Sequence, residues 1–98
     1  MRILYRTKKL KKVCEVRKEG VKKYGSEMGK IIPIRIDQIR NADSVLHLVQ
    51  YGVGRCHELI GDRKGQYAMD LIHPYRLIFT QNDAQTVTVT IEEISDYH

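Results

Sequence analysis

The sequence predicts an α+β domain in which an N-terminal strand and several helices pack on one face of a mainly antiparallel sheet supplied by the C-terminal half. Three observations carry that prediction. Apolar residues recur at helical spacing before Arg55 and alternate after it. The second half is punctuated by turn-rich GDRKG, by Pro74 and by QNDAQ, which separate runs of strand length. Finally, 98 residues with 42% apolar content suffice for one hydrophobic core and not for two, so one domain over 1–98 is expected.

Taken in order, Arg2 to Tyr5 form a short strand. Thr7 is a natural N-cap for the run that follows, in which Leu10, Val13, Cys14 and Val21 recur near helical spacing while Lys8, Lys9, Lys11, Lys12 and Lys18 occupy the other faces. Gly20 offers a stop, with a second helix following it through Lys23. A further helix begins at Ser26, with Glu27 in its first turn and Ile32, Ile36 and Ile39 on one face. Pro33 interrupts it. A mid-helix proline loses a backbone hydrogen bond at a cost of about 3 kcal/mol, so the helix is expected to start near Pro33 or to kink there. Asn41 to Asp43 closes this segment, and Ser44 to Val49 reads as one more short helical turn.

RCHELIG, QYAMDLIH, YRLIFT and TVTVTIEEIS then read as strands. In the last of these Val87, Val89 and Ile91 alternate, but Ile94 follows Ile91 by three positions. A bulge or strand end is expected around Glu92 and Glu93.

Charge is distributed unevenly. Residues 1–40 hold 13 Lys and Arg against 4 Asp and Glu, whereas residues 41–98 hold 4 against 8. A front near +9 and a back near −4 suggest an electrostatic footprint for nucleic acid on the helical half, with a solvated helix face as the plain alternative. The apolar stretch at the N-terminus is far shorter than a signal-peptide core or a membrane span, so the protein is expected in the cytoplasm with no membrane association. Cys14 and Cys56 form no CxxC or Cys/His cluster and read as ordinary packed thiols of a reducing compartment.

The stretch RCHELIGDRKGQYAMDLIHPYRLIF, together with the terminal DYH, resembles the host-inhibition-of-growth (HigB) branch of the RelE/ParE toxin superfamily, the plasmid-maintenance killer proteins. About 45 residues carry the resemblance. Its specific part is the combination of H-x-L-x-G-D-R-x-G, an aromatic-Arg pair opening the next strand, and the Asp-Tyr-His ending. The resemblance implies a curved antiparallel sheet with helices on one side and metal-independent cleavage of messenger RNA, usually on the ribosome, with no cofactor. It also implies a cognate antitoxin, often a helix-turn-helix protein, which silences the toxin and brings it to operator DNA.

Metal-free RNA cleavage needs a base for the ribose 2′-hydroxyl, cations for charge developing on the phosphate, and an acid for the departing 5′ oxygen. Arg76 is the first candidate, because a planar guanidinium binds a phosphate bidentately and because it matches the family's strand arginine after an aromatic residue. Alternation puts Tyr75, Leu77 and Phe79 on one face and Arg76 with Ile78 on the other. A strand arginine paired with Asp70 or another carboxylate is the competing reading. Asp96, Tyr97 and His98 match the family's C-terminal acid, aromatic and histidine, which implies proton transfer and base stacking. His57 matches the family's histidine, although a hydrogen-bonded structural histidine fits the same position. Arg63 and Lys64 on the GDRKG loop, His73, and Lys8, Lys9 and Lys12 are the candidate contacts to the RNA backbone.

Two positions depart from the family pattern. Ile60 and Ile72 stand where some members carry a lysine and an arginine, which removes cationic help for the phosphate. His57, His73, Asp96 and His98 match no compact metal-ligand spacing, and no metal is expected. Two other functions remain open on the same scaffold: a gyrase poison of the ParE type that cuts nothing itself, and a catalytically silent RNA-binding or operon-regulating module.

Overall fold

The computed structural model describes residues 1–63, 65–83 and 87–96. The elements in chain order are β1 (Arg2–Tyr5), α1 (Lys8–Glu15), α2 (Arg17–Tyr24), α3 (Ser26–Asn41), α4 (Val45–Gln50), a 3-10 turn (Val53–Arg55), β2 (His57–Glu58), a second 3-10 turn (Gly61–Arg63), β3 (Gln66–Asp70), β4 (Tyr75–Asp83) and β5 (Thr88–Asp96). The five strands form one sheet in the order β1-β5-β4-β3-β2. Pairing is antiparallel throughout except that β1 runs parallel to β5, so the sheet is mixed.

Helix starts follow the caps. The Thr7 hydroxyl accepts the Leu10 N–H at 3.0 Å, and the Ser44 hydroxyl accepts that of His47 at 3.1 Å, each satisfying a donor the first turn cannot use. The break between α1 and α2 falls at Val16, in an extended conformation, and not at Gly20. Gly20 lies inside α2 because α2 and α3 cross closely there: a Cβ at Gly20 would come within 3.8 Å of the Gly29 Cα, and one at Gly29 would overlap the Val21 side chain. Close approach, not helix termination, explains the glycine.

Pro33 likewise neither starts nor ends a helix, since α3 runs unbroken from Ser26 to Asn41. Ile32, Ile36 and Ile39 on its inner face are fully buried. Burying each such side chain contributes about 1.5–3 kcal/mol, which together outweighs the roughly 3 kcal/mol of a mid-helix proline.

The core lies between α3, α4 and one face of the sheet, where Met69, Leu77, Phe79, Val89 and Ile91 are buried. Tyr67 stacks on Phe79 with ring centroids 5.6 Å apart. The register between β4 and β5 shifts where Ile78 pairs with Glu93 and Phe79 with Ile91, which leaves Glu92 as the extra residue of a bulge. RCHELIG yields only the two-residue strand β2. Both cysteines are buried and free.

Candidate functional site

Strand alternation sends Leu77 and Phe79 into the helix-side core and turns Arg76 and Ile78 to the opposite face, as the sequence pattern requires. On that face Arg76 pairs with Asp70 of β3 on one side and with Ser95 of β5 on the other. Asp96 follows at the end of β5, opposite Tyr75. Asp70, Arg76 and Ser95 therefore form one row across the sheet, and the Arg55 side chain reaches its Asp70 end from the turn before β2.

The row is a charge cluster. The Asp70 carboxylate sits between two guanidinium groups, with Oδ2 2.8 Å from Nε of Arg55 and Oδ1 3.7 Å from Nε of Arg76. The second of these is an ion pair too long to be a hydrogen bond. Arg35 of α3 reaches the same residue from the helix side, donating from Nε to the Asp70 main-chain carbonyl at 2.6 Å and from a terminal nitrogen to Gln38 Oε1 at 3.0 Å. Arg55, Asp70 and Arg76, with His73, Pro74 and Tyr75, line a cleft of about 160 Å³. Among the described residues of the cleft, the guanidinium groups of Arg55 and Arg76 both face the Asp70 carboxylate.

His57 opens β2 two residues after Arg55 and pairs with Ala68, on the sheet face that also carries Arg76 and Ile78. Its Nδ1 is 2.8 Å from the Arg55 carbonyl oxygen. A carbonyl only accepts, so Nδ1 carries the proton and donates it, and Nε2 is the basic nitrogen of the neutral ring. His73 is exposed on the rim of the cleft.

Arg63 is not a solvated loop tip. Its Nε donates to Gln66 Oε1 at 2.8 Å, and its terminal nitrogen is 3.9 Å from Glu93. Below it Leu59, Ala68 and Ile78 form a second small apolar cluster. The segment after β2 thus folds over the outer side of the sheet. Ile60 on that segment is 92% exposed, whereas Ile72 packs against the main core. Lys64, Tyr97 and His98 lie outside the described residues.

The lysines of α1 form a separate region. Lys9 and Lys12 line a groove with Lys22 and Lys23 of α2, and Lys8 lies to the side of it with Lys11. An aromatic pair links this groove to the cleft: Lys23 sits 5.5 Å from the centre of the Tyr24 ring, and Tyr24 meets Tyr75 edge to face at 5.1 Å.

This arrangement of helices and sheet has known counterparts. The chain aligns over its whole length with all of the YoeB/ParE toxin from Agrobacterium tumefaciens, at a TM-score of 0.67 and 13% identity. It also aligns over its whole length with 97% of the corresponding chain in the YoeB-YefM complex from Staphylococcus aureus (TM-score 0.65, 18% identity) and in that organism's heterotetrameric YoeB-YefM toxin-antitoxin complex (0.64, 19%). The fold is that of the YoeB/ParE toxins. No protein-family model matches the sequence, and no curated protein is significantly similar to it.

Within this YoeB/ParE-like fold, Arg76 and His73 line one cleft, Asp96 pairs with Tyr75 from the neighbouring strand, and His57 lies further along the sheet. Lys8, Lys9 and Lys12 do not join them. Sequence reasoning passed over Arg55, Arg35, Lys22, Lys23 and Tyr24. Arg55 was within reach, since reading RCHELIG as a strand puts it on the same face as His57. Arg35 was not, because nothing local signals that a helix residue will reach the end of a strand. Among the described residues no group of three His, Cys, Asp or Glu side chains is placed to hold a metal ion, and no helix is long and apolar enough to cross a membrane.

Proposed function

We propose that this protein is the toxin of a toxin-antitoxin pair and a metal-independent endoribonuclease of the HigB-like branch of the RelE/ParE superfamily, acting on messenger RNA at the ribosome. The observation that carries the reading is Arg76. It projects from the face of the sheet away from the core into a cleft that also holds Arg55 and His73, beside the strand that ends in Asp96.

In the proposed reaction the 2′-hydroxyl attacks the adjacent phosphorus, its proton passes to a base, and the P–O5′ bond breaks as an acid protonates the leaving oxygen. Arg76 stabilises the extra negative charge on the nonbridging oxygens at that moment. His57 Nε2, on the same face as Arg76, is the group assigned to accept the first proton, and by the resemblance Asp96 and His98 share in proton transfer while Tyr97 stacks on a base. The lysines of α1, with Arg63 and Lys64, hold the RNA backbone. A cognate antitoxin, of helix-turn-helix type by the resemblance, covers the toxin until release. The YoeB-YefM complexes, whose toxin chains share the fold, support an antitoxin partner, not its type.

Induced expression followed by primer extension on cellular transcripts tests the proposal. New 5′ ends within open reading frames and arrested growth are expected. Intact messages would sink it, and accumulated cleaved DNA would point to gyrase instead.

A further inference from the structure

We infer that Arg55 and Arg76 together form a binding site for one phosphodiester group, and that Asp70 occupies the site as an internal stand-in until the substrate arrives. This rests on the reading of RNA as the ligand, but adds to it a residue outside the Asp-Tyr-His pattern and a defined resting state.

The first argument is geometric. Each oxygen of the Asp70 carboxylate faces a different guanidinium, Oδ2 toward Arg55 and Oδ1 toward Arg76. The two nonbridging oxygens of a phosphodiester present the same paired-acceptor pattern, with more tightly held charge and better reach for a forked donor. The second is exposure. The Arg55 side chain is 73% exposed while Asp70 is only 30% exposed. An arginine kept only for stability would contribute little as an exposed ion pair.

The third argument is the backbone that presents it. Arg55 has φ +56°, in the left-handed region that non-glycine residues seldom adopt. That conformation is held from below. Gly54, at φ +58°, lies so close over Arg35 that a Cβ there would be 2.8 Å from its Nε, and Arg35 is itself fixed on the Asp70 carbonyl. The Arg55 and Cys56 N–H groups donate to the Gly52 and Val53 carbonyls, both at 2.9 Å. Such strain persists where the surroundings over-determine it, often where a side chain must be aimed. Here it aims a guanidinium over the carboxylate that Arg76 also faces.

The ionised Asp70 carboxylate faces both guanidinium groups, so an incoming phosphate must compete with it for them. The Asp70→Asn substitution keeps the shape and removes the competitor. The experiment measures binding of a fluorescent 2′-O-methyl RNA oligonucleotide, which cannot be cleaved, to the full chain and its variants over a range of salt. Arg55→Ala is expected to weaken binding about tenfold and to reduce the salt slope by about 0.7, the loss of one phosphate contact on a single strand. Arg55→Lys should recover part of the affinity, and Asp70→Asn should tighten binding several-fold. Circular dichroism spectra confirm that each variant is folded.

If Arg55 only braces Asp70, the two substitutions remove the same interaction and move binding in the same direction, which overturns the inference. Unchanged affinity in Arg55→Ala, or no binding by the unsubstituted chain, overturns it as well. Should the predicted signs appear while a translating extract shows no cleavage, the arginine pair stands and the nuclease reading falls. Cleavage without any effect of Arg55 has the opposite meaning.

Discussion

The cleft at Arg76 and the groove between α1 and α2 are both cationic, yet they are built in opposite ways. In the cleft, guanidinium groups are fixed by main-chain geometry, a shared carboxylate and strand register. In the groove, Lys9, Lys12, Lys22 and Lys23 stand exposed on two short helices with Glu19 as the carboxylate among them. A preorganised guanidinium pair favours one phosphate in one orientation, while mobile ammonium groups attract any phosphate within a Debye length. Under the proposed function the difference separates chemistry from capture: the cleft is the part suited to select a scissile group, and the groove the part suited to raise the local concentration of the strand that carries it.

That division is broken most directly by exchanging the losses. Arg76→Ala is expected to lower cleavage of a bound message by about 10²–10³, as for removal of a donor aimed at developing charge, while changing oligonucleotide affinity far less. Replacing Lys9, Lys12, Lys22 and Lys23 with Gln should do the reverse. Each lysine that contacts a phosphate lowers the salt slope by about 0.7, and cleavage at saturating substrate stays near its original rate. Single-turnover rates alongside salt titrations read both effects. Equal loss of binding and of saturated rate in either variant would erase the distinction.

The two regions also differed in how much of them the sequence disclosed. The place of Arg76 was legible because β4 alternates cleanly, with Leu77 and Phe79 buried on the other side. The bulge at Glu92 was legible from a single slip of phase, and the start of α1 at Thr7 from cap chemistry. Gly20 misled because its meaning is tertiary, permitting a helix crossing, and Pro33 does not start a helix because the isoleucines of its own helix hold it within one. Arg55 depended on a left-handed backbone and on a register several elements away. Lys22 and Lys23 joined the groove only through the way α2 folds back along α1.

The α2–α3 crossing gives a smaller test that touches the groove and spares the cleft. A Cβ at Gly29 would overlap the Val21 side chain and come 3.3 Å from its backbone Cα. Gly29→Ala should therefore push α2 outward and cost roughly 1–3 kcal/mol, as overpacking does. Urea unfolding measures the loss. Lysine-dependent RNA affinity should fall in the variant while the single-turnover rate of the bound fraction holds. A stability equal to that of the original chain would mean that the helices meet differently.

The smallest effect compares the thiol anchoring each region, Cys14 on the lysine helix and Cys56 just after the arginine turn. Burial pushes both up to about 12, with the charge of Glu15 adding to the effect at Cys14. In the unfolded chain a thiol ionises near about 8.5. Above that value the unfolded state sheds a proton that the folded state keeps, so stability is full below about pH 8.5 and declines as pH rises toward about 12. Burial raises Tyr5, Tyr24 and Tyr67 as well, and they add a decline of the same sign above about pH 10. Between about pH 8.5 and 10 the slope of melting temperature against pH therefore belongs mainly to the thiols. Cys14→Ala and Cys56→Ala should each flatten it, whatever they do to the absolute melting temperature. If neither does, the thiols ionise through local opening of α1 and the arginine turn and not through global unfolding.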